Sequence, residues 1–358
     1  MKKTGFAIVF FILVLLFIIS RSSTSDIKDP YGKPIPNSIA TMEYVQIGGQ
    51  KQFMLIRGND INNPVLFFLH GGPGSPETGL VRKYHSELEK YFTLVMWEQR
   101  GSGKSFSSTV SQETMNLEVF LNDTHEVTQY LKKRFNKNKI FIIGHSWGTY
   151  LAVRTAARYP EDYYAVVTAG LLVNTIQQED ISYEFLVQRS KDLKNESIQN
   201  QLKNIGPPVN GYYKNGKEGL IAERKLLNQM GGSVFSKKMG TMFMLSMTFP
   251  AEYTLWDSFQ YIRGINYSID SFMPVYNQVD LFKEVPEIKI PIYVLTGRHD
   301  LQTPFALAEK YYEKLRAPEK KWIWFENSAH LQIFEEPEKY MDLLINTVRK
   351  KALPESLK

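Results

Sequence analysis

The sequence predicts an α/β fold: a mostly parallel sheet flanked by helices, with a helical insertion. Three observations carry it. Short continuous apolar runs recur along the 358-residue chain, the pattern of strands buried on both faces of a parallel sheet. Helical patterns separate those runs, which makes the class α/β. One interval, 174–286, breaks the alternation; it is rich in Met and aromatics and has no buried-strand signal. The composition, 43% apolar and 13% aromatic with 22% charged, excludes a disordered chain. The net charge of +6 is spread along the chain without a basic block, so no nucleic-acid partner is expected. With no cysteine, disulfides, thiolate metal sites and cysteine nucleophiles are excluded.

The elements follow in order. Lys2 and Lys3 precede a run from Phe6 to Ile19 whose fourteen residues are all apolar, followed by Arg21 and the polar stretch Ser22 to Ser25. This is the pattern of an export signal. As a helix the run spans about 21 Å, or about 26 Å with Thr4, Gly5 and Ser20, against a ~30 Å hydrocarbon core. Ser20-Arg21-Ser22 is a poor cleavage site. The expectation is therefore an anchor over 1–20, in the lipid bilayer through residues 5–20, single-pass in the cell membrane. The lysines place the rest of the chain outside the cytoplasm. The alternatives are a cleaved signal with secretion, and a buried core helix. Residues 21–41, polar and carrying Pro30, Pro34 and Pro36, read as a tether. Runs at 42–47 and 51–57 around Gly48-Gly49 predict a hairpin. Buried strands follow at 65–69, 92–97, 140–143, 165–169, 292–296 and 322–325. Helices are expected near 77–90, 115–135, 148–159, 305–315 and 337–350. The core is thus 42–173 with 287–350, the cap is 174–286, and 351–358 is a polar tail.

The chemistry concentrates at strand ends. The run at 140–143 leads into Gly144-His145-Ser146-Trp147-Gly148 and at once into a helical pattern. A G-x-S-x-G sequence between strand and helix lifts a serine hydroxyl above the sheet on a sharp turn, over a helix N-terminus that favours developing negative charge. A serine nucleophile needs a base, and the base an orienting carboxylate. Of the six histidines, His85 and His125 lie on polar helix faces and are expected to be solvated. His145 is adjacent to the serine on a tight turn, where neighbouring side chains diverge. His330 follows the last strand, and Asp300 follows the strand before it. The expected catalytic set is Ser146, Asp300 and His330, in the Ser…Asp…His order of α/β-hydrolases. Asp180 is a distant alternative acid, and His299 is disfavoured as a base because it neighbours Asp300. The oxyanion donors are expected to be the Trp147 amide and the amide of Gly72 in His70-Gly71-Gly72-Pro73-Gly74. His70 is expected to hold that loop. Glu98-Gln99-Arg100-Gly101-Ser102-Gly103-Lys104-Ser105 lacks the spacing of a phosphate loop and reads as a buttress of the same face.

Together these motifs, with Gly297-Arg298-x-Asp300 and Ser328-Ala329-His330, resemble the proline iminopeptidase-like branch of the α/β-hydrolases over about residues 42–350, most of the insertion excepted. The resemblance implies hydrolysis without cofactor or metal beneath a helical cap. Two departures stand out. The second motif opens on Glu98 where the family usually has Asp. In authentic proline iminopeptidases acidic cap residues grip the substrate's free amino group, and the cap here offers only Glu184, Glu252, Asp257 and Asp270 as candidates. The resemblance therefore implies an aminopeptidase on short peptides. A carboxylesterase or lipase-like enzyme on small apolar esters is the alternative, and a non-catalytic binding protein keeping the fold is a remote one. The Met/aromatic stretch 239–261 is read as cap core or as the lining of an apolar pocket.

Overall fold

The computed structural model describes residues 22–236 and 239–353, apart from the side chains of 240–242. The apolar run 6–19, and with it the expected anchor, lies outside the described residues. Among the described residues no helix is long and apolar enough to cross a membrane.

Eight strands form one sheet in the order β1-β2-β4-β3-β5-β6-β7-β8. β1 (Ile39–Ile47) and β2 (Gln50–Gly58) make the antiparallel hairpin, and β2 runs antiparallel to β4 (Thr93–Trp97). β3 (Val65–Leu69), β5 (Ile140–His145), β6 (Tyr163–Ala169), β7 (Ile292–Gly297) and β8 (Lys320–Phe325) continue the sheet from β4 in parallel. No residue of β3 or β4 is more than 2% exposed, which is why their sequences are apolar without alternation. Helices α1 (Thr78–Tyr84), α2 (Leu117–Arg134), α3 (Trp147–Arg158) and the C-terminal helical segment cover the sheet's two faces with separate apolar layers.

The insertion between β6 and β7 contributes α4 (Thr175–Asp192), α5 (Glu196–Ile205), α6 (Lys217–Gln229), α7 (Met239–Thr248) and α8 (Leu255–Phe272). Its first helix starts where the Asn174 side chain accepts the Gln177 amide, and α8 starts on a capping box between Thr254 and Asp257. α4, α5 and α6 share an apolar cluster of their own that includes Leu186, Leu202 and Leu227. Met239, Met247, Tyr253 and Tyr261 join instead the apolar layer over the sheet, so this part of the Met/aromatic stretch is packing. α9 (Phe305–Lys314) returns the chain from β7 to β8.

Three details differ from expectation. β1 begins at Ile39, inside the range read as tether, because Ile39 to Met42 extend the pairing with Leu55 to Gly58. Residues 22–25 are also fastened: the Ser23 amide donates to Ala251 O at 3.1 Å, and buried Arg57 donates to Thr24 Oγ1 at 2.6 Å and Ser25 O at 2.7 Å. His85 is buried rather than solvated. The helix ends at Tyr84 and the chain turns inward, so the helical phase no longer applies; the ring stacks on Phe334 and its Nε2 meets Ile333 O at 2.7 Å. Burial pushes its pKa down to about 4. His125 remains half-buried, stacked on Tyr159.

Candidate active site

The predicted chemistry gathers at the carboxyl ends of the parallel strands. Ser146 sits between β5 and α3 with φ 51° and ψ −121°, a strained conformation for a residue with a Cβ. Its amide donates to Ala169 O at 2.9 Å, which fixes the turn against β6. The flanking glycines are required by close approach. A Cβ on Gly148 would lie 2.1 Å from Leu69 O, and one on Gly144 would lie 2.2 Å from Gly148 O. β3, β5 and α3 can therefore meet here only without side chains.

Asp300 and His330 arrive from the loops after β7 and β8. Asp300 is fully buried. Its Oδ1 accepts the amides of Gln302 (3.0 Å) and Thr303 (2.9 Å), and its Oδ2 accepts Thr303 Oγ1 (2.8 Å) and His330 Nδ1 (3.0 Å). His330 Nε2 is buried without a hydrogen-bond partner among the described residues. The His330 amide donates to Ser233 O of the insertion at 3.0 Å.

Ser146, His330, Gly72 and Trp147 line one cavity of about 490 Å³ between sheet and cap. Trp147 is anchored through its indole N–H to Gln99 Oε1 at 3.0 Å, so the motif after β4 does brace this face. His70 completes the brace. Its Nδ1 meets Gly71 O at 2.7 Å, while Nε2 accepts the Gln99 amide at 3.1 Å. Burial lowers its pKa to about 4, consistent with a neutral ring that donates on one side and accepts on the other. A larger depression of about 700 Å³, bordered by Asn174, Lys310 and Lys314, contains none of the predicted site residues.

The four cap acids do not line the cavity. Glu184 is exposed on α4. Glu252 is buried and pairs with Arg82 at 3.0 Å. Asp257 caps α8 and pairs with Lys104 at 2.8 Å; Asp270 pairs with Lys217 at 2.6 Å. The carboxylates of Glu252, Asp257 and Asp270 are engaged in joining elements.

Two groups that the sequence did not point to border the cavity instead. Glu77 is one, just past the glycine-rich loop. Its Oε1 lies 2.6 Å from His145 Nδ1 and its Oε2 accepts the Gly71 amide at 3.3 Å, while His145 Nε2 lies 2.9 Å from His330 O. Burial opposes a charge on His145, but the Glu77 carboxylate, the His330 carbonyl and Asp300 lift its pKa above the ordinary 6.5. The other is Arg224 on α6, which pairs with both Glu179 and Glu223; Tyr276 donates to Glu179 at 2.7 Å and Tyr213 at 3.1 Å. Burial pushes Glu223 upward. No spacing in the sequence marks either group, since Arg224 meets Glu179 across 45 positions and Glu77 meets His145 across 68. Much of the wall is apolar, with Leu172, Leu220, Phe243, Met247 and Phe272, interspersed with polar side chains such as Gln178, Asn228 and Thr303. Among the described residues no cluster of three His, Cys, Asp or Glu could hold a metal ion.

Known proteins share this architecture. A family model described as the alpha/beta hydrolase fold matches residues 64–193. A probable aminopeptidase of Bacillus subtilis, YbaC, is 35% identical over 316 residues, covering 88% of this chain and 98% of its own. A proline iminopeptidase of Heyndrickxia coagulans is 26% identical over 300 residues, with 83% and 94% covered. The crystal structure of a proline iminopeptidase of Mycobacterium smegmatis superposes with a TM-score of 0.64 over 87% of this chain and 99% of that one, at 14% identity.

Proposed function

The chain belongs to the proline iminopeptidase-like branch of the α/β-hydrolases, and from that premise we propose that it is a serine aminopeptidase acting on short peptides through an acyl-enzyme. One observation carries the proposal. His330 borders the same cavity as Ser146, its Nδ1 is held by buried Asp300, and its Nε2 has no partner among the described residues.

Asp300 accepts a hydrogen bond from the Nδ1–H of His330, which keeps that proton on Nδ1 and leaves the lone pair on Nε2. Nε2 takes the proton of Ser146 Oγ as Oγ attacks the scissile carbonyl carbon. The amides of Trp147 and Gly72 hold the oxyanion. The imidazolium then gives its Nε2 proton to the departing amine as the C–N bond breaks. Water, deprotonated by the same nitrogen, attacks the ester carbonyl and frees Ser146. Such hydrogen bonds commonly tighten only when substrate is bound, so an unpaired Nε2 fits a free enzyme. A substrate's free amino group requires a carboxylate in the wall. Glu77 supplies one on the core side. The names of the relatives support the aminopeptidase reading.

A second reading, a carboxylesterase on small apolar esters, is favoured by the mostly apolar cavity, whose volume of about 490 Å³ is generous for one proline ring. Hydrolysis of a proline arylamide and of a short p-nitrophenyl ester, side by side, separates the two. The arylamide should be turned over, and Ser146→Ala should lower kcat by at least about 10⁴-fold. Full activity in Ser146→Ala would refute the serine mechanism, and turnover of ester alone would replace the peptidase by the esterase.

We also propose that residues 5–20 tether the enzyme to the cell membrane with the hydrolase outside the cytoplasm; secretion after cleavage is the alternative. The fourteen-residue apolar run and its flanking lysines support this.

A further inference from the structure

The cap carries an apolar face that no part of the described chain covers. On α8, Leu255, Trp256, Phe259 and Ile262 recur at the spacing of one helical stripe, with Trp256 62% and Phe259 52% exposed. Met244 and Leu245 on α7 and Phe249 just beyond it are also more than half exposed, at 60%, 53% and 56%. A cluster of exposed aromatic and aliphatic side chains on neighbouring helices marks an interaction surface.

The position of the N-terminal segment says what it meets. Ser23 and Thr24 bond to Ala251 and Glu252, on the turn between α7 and α8, and Ser22 Oγ accepts Lys104 Nζ at 3.2 Å. The all-apolar run ends at Ile19, three residues before Ser22, and three residues reach no further than about 11 Å. A bilayer entered by that run therefore lies beside the α7–α8 turn. Cations flank the same face. Lys83 Nζ stands 3.3 Å from Ser246 Oγ on α7, and the Arg263 guanidinium lies 5.7 Å from the centre of the Phe259 ring. Met244 is both a wall of the catalytic cavity and one of the most exposed residues of the face, so the cavity opens there.

We infer that the exposed α7–α8 face of the cap docks on the surface of an anionic lipid bilayer, so that the catalytic cavity opens at the membrane interface. Trp and Phe side chains sit at the headgroup level, and the flanking cations meet the anionic lipid. The inference rests on the tether proposed above and adds an orientation to it. Substrates that partition into the interface, such as short apolar peptides or acylated ones, would reach Ser146 without crossing bulk water.

The chain has no cysteine, so one introduced cysteine gives a single labelling site. The full chain, carrying Trp256→Cys or, as control, Lys133→Cys, is labelled with a nitroxide. It is then reconstituted in phosphatidylcholine/phosphatidylglycerol vesicles. Lys133 is exposed near the end of α2, which leads into the start of β5 and so lies at the sheet edge opposite the cap. In vesicles the label at 256 should be several-fold more accessible to oxygen than to an aqueous nickel chelate, and the label at 133 the reverse. Co-flotation with both labels equally open to nickel would overturn the docking and leave the tether standing. Failure to co-float would overturn both. Shielding of the 256 label from both reagents, or broadening by a second label, would assign the face to protein and overturn the inference. Adding Phe259→Glu to the 256-labelled chain should restore nickel access without changing turnover of a soluble arylamide.

Discussion

His145 shows how much a single proton can organise. Its two ring nitrogens face two acceptors, the Glu77 carboxylate and the His330 carbonyl. A neutral imidazole has one N–H and can satisfy only one of them. The Glu77–His145 pair therefore retains an extra proton, and the raised pKa of His145 agrees. The charged ring joins three loops: the glycine-rich loop through Glu77, the Ser146 turn through itself, and the His330 loop through its carbonyl. His70, which faces one acceptor and one donor, stays neutral. Because the folded pKa of His145 is raised, the stability it contributes is fully present below about 6.5 and is lost as pH rises through the folded value. Glu77→Gln removes the anion that sustains the charge. Urea unfolding should show the variant about 3 kcal/mol less stable than wild type at pH 6, a gap that narrows at pH 9. kcat on the arylamide should fall, since the pair positions the His330 loop, and KM should rise, since the same carboxylate is the one proposed to meet the substrate's amino group. An equal stability gap at both pH values would exclude the shared-proton account. The other titratable groups facing the pair are His70, His85, Asp300, His330, Tyr261 and Tyr340.

At the scale of elements, the β5–α3 junction is where geometry leaves least freedom. Alanine is ordinarily better than glycine in a helix, by about 1 kcal/mol. At Gly148 the order should reverse, because the added methyl would press on Leu69 and His70 carbonyl oxygens at 2.1 and 2.8 Å. Gly148→Ala should lose about 1–3 kcal/mol and lower kcat together, since any shift of α3 moves the Trp147 amide. A melting temperature and kcat both equal to wild type would show that the strand and helix are not so tightly seated. This junction was readable in the sequence, as were the six parallel-pattern strands, because their determinants are local: continuous apolar runs and a five-residue motif. The helical phase of 77–90 was not, because tertiary packing ends α1 at Tyr84 and draws His85 inward. Nor were Glu77, which borders the cavity, and Glu179, which holds the Arg224 that does. Glu77 and Glu179 owe their positions to partners on other elements, and neither carries a local signal. The cap acids that seemed available, Glu252 and Asp257, serve ion pairs and caps that only the assembled cap reveals.

At the scale of the molecule, the cap is joined to the sheet through Glu98. This residue stands where the resembling family usually has Asp, and its extra methylene lengthens its reach. Its Oε1 accepts the Tyr253 hydroxyl of the cap at 2.7 Å and Thr78 Oγ1 at 3.1 Å, and its Oε2 accepts the Lys104 amide at 2.6 Å. Lys104 in turn reaches Asp257 and the Glu252 carbonyl in the cap. Burial is the largest influence on Glu98 and pushes its pKa up from 4.5 to about 7, despite the three donors. An acid whose folded pKa is raised binds its proton more tightly in the folded state. Folding is therefore favoured most below the unfolded value, and that advantage is lost as pH rises from about 4.5 through about 7. Over the full window the loss amounts to about 3 kcal/mol. Gln at position 98 cannot ionise, and its amide can still accept from Lys104 and donate to a hydroxyl oxygen. Glu98→Gln should therefore match wild type within about 1 kcal/mol at pH 4. By pH 8 it should overtake it by about 3 kcal/mol. Chemical denaturation across that range reads the difference directly, and stability curves that run parallel from pH 4 to pH 8 would show that Glu98 does not carry the titration. If the curves diverge as expected, the core–cap joint tightens in mild acid, and turnover limited by cap opening should slow there in wild type but not in Glu98→Gln.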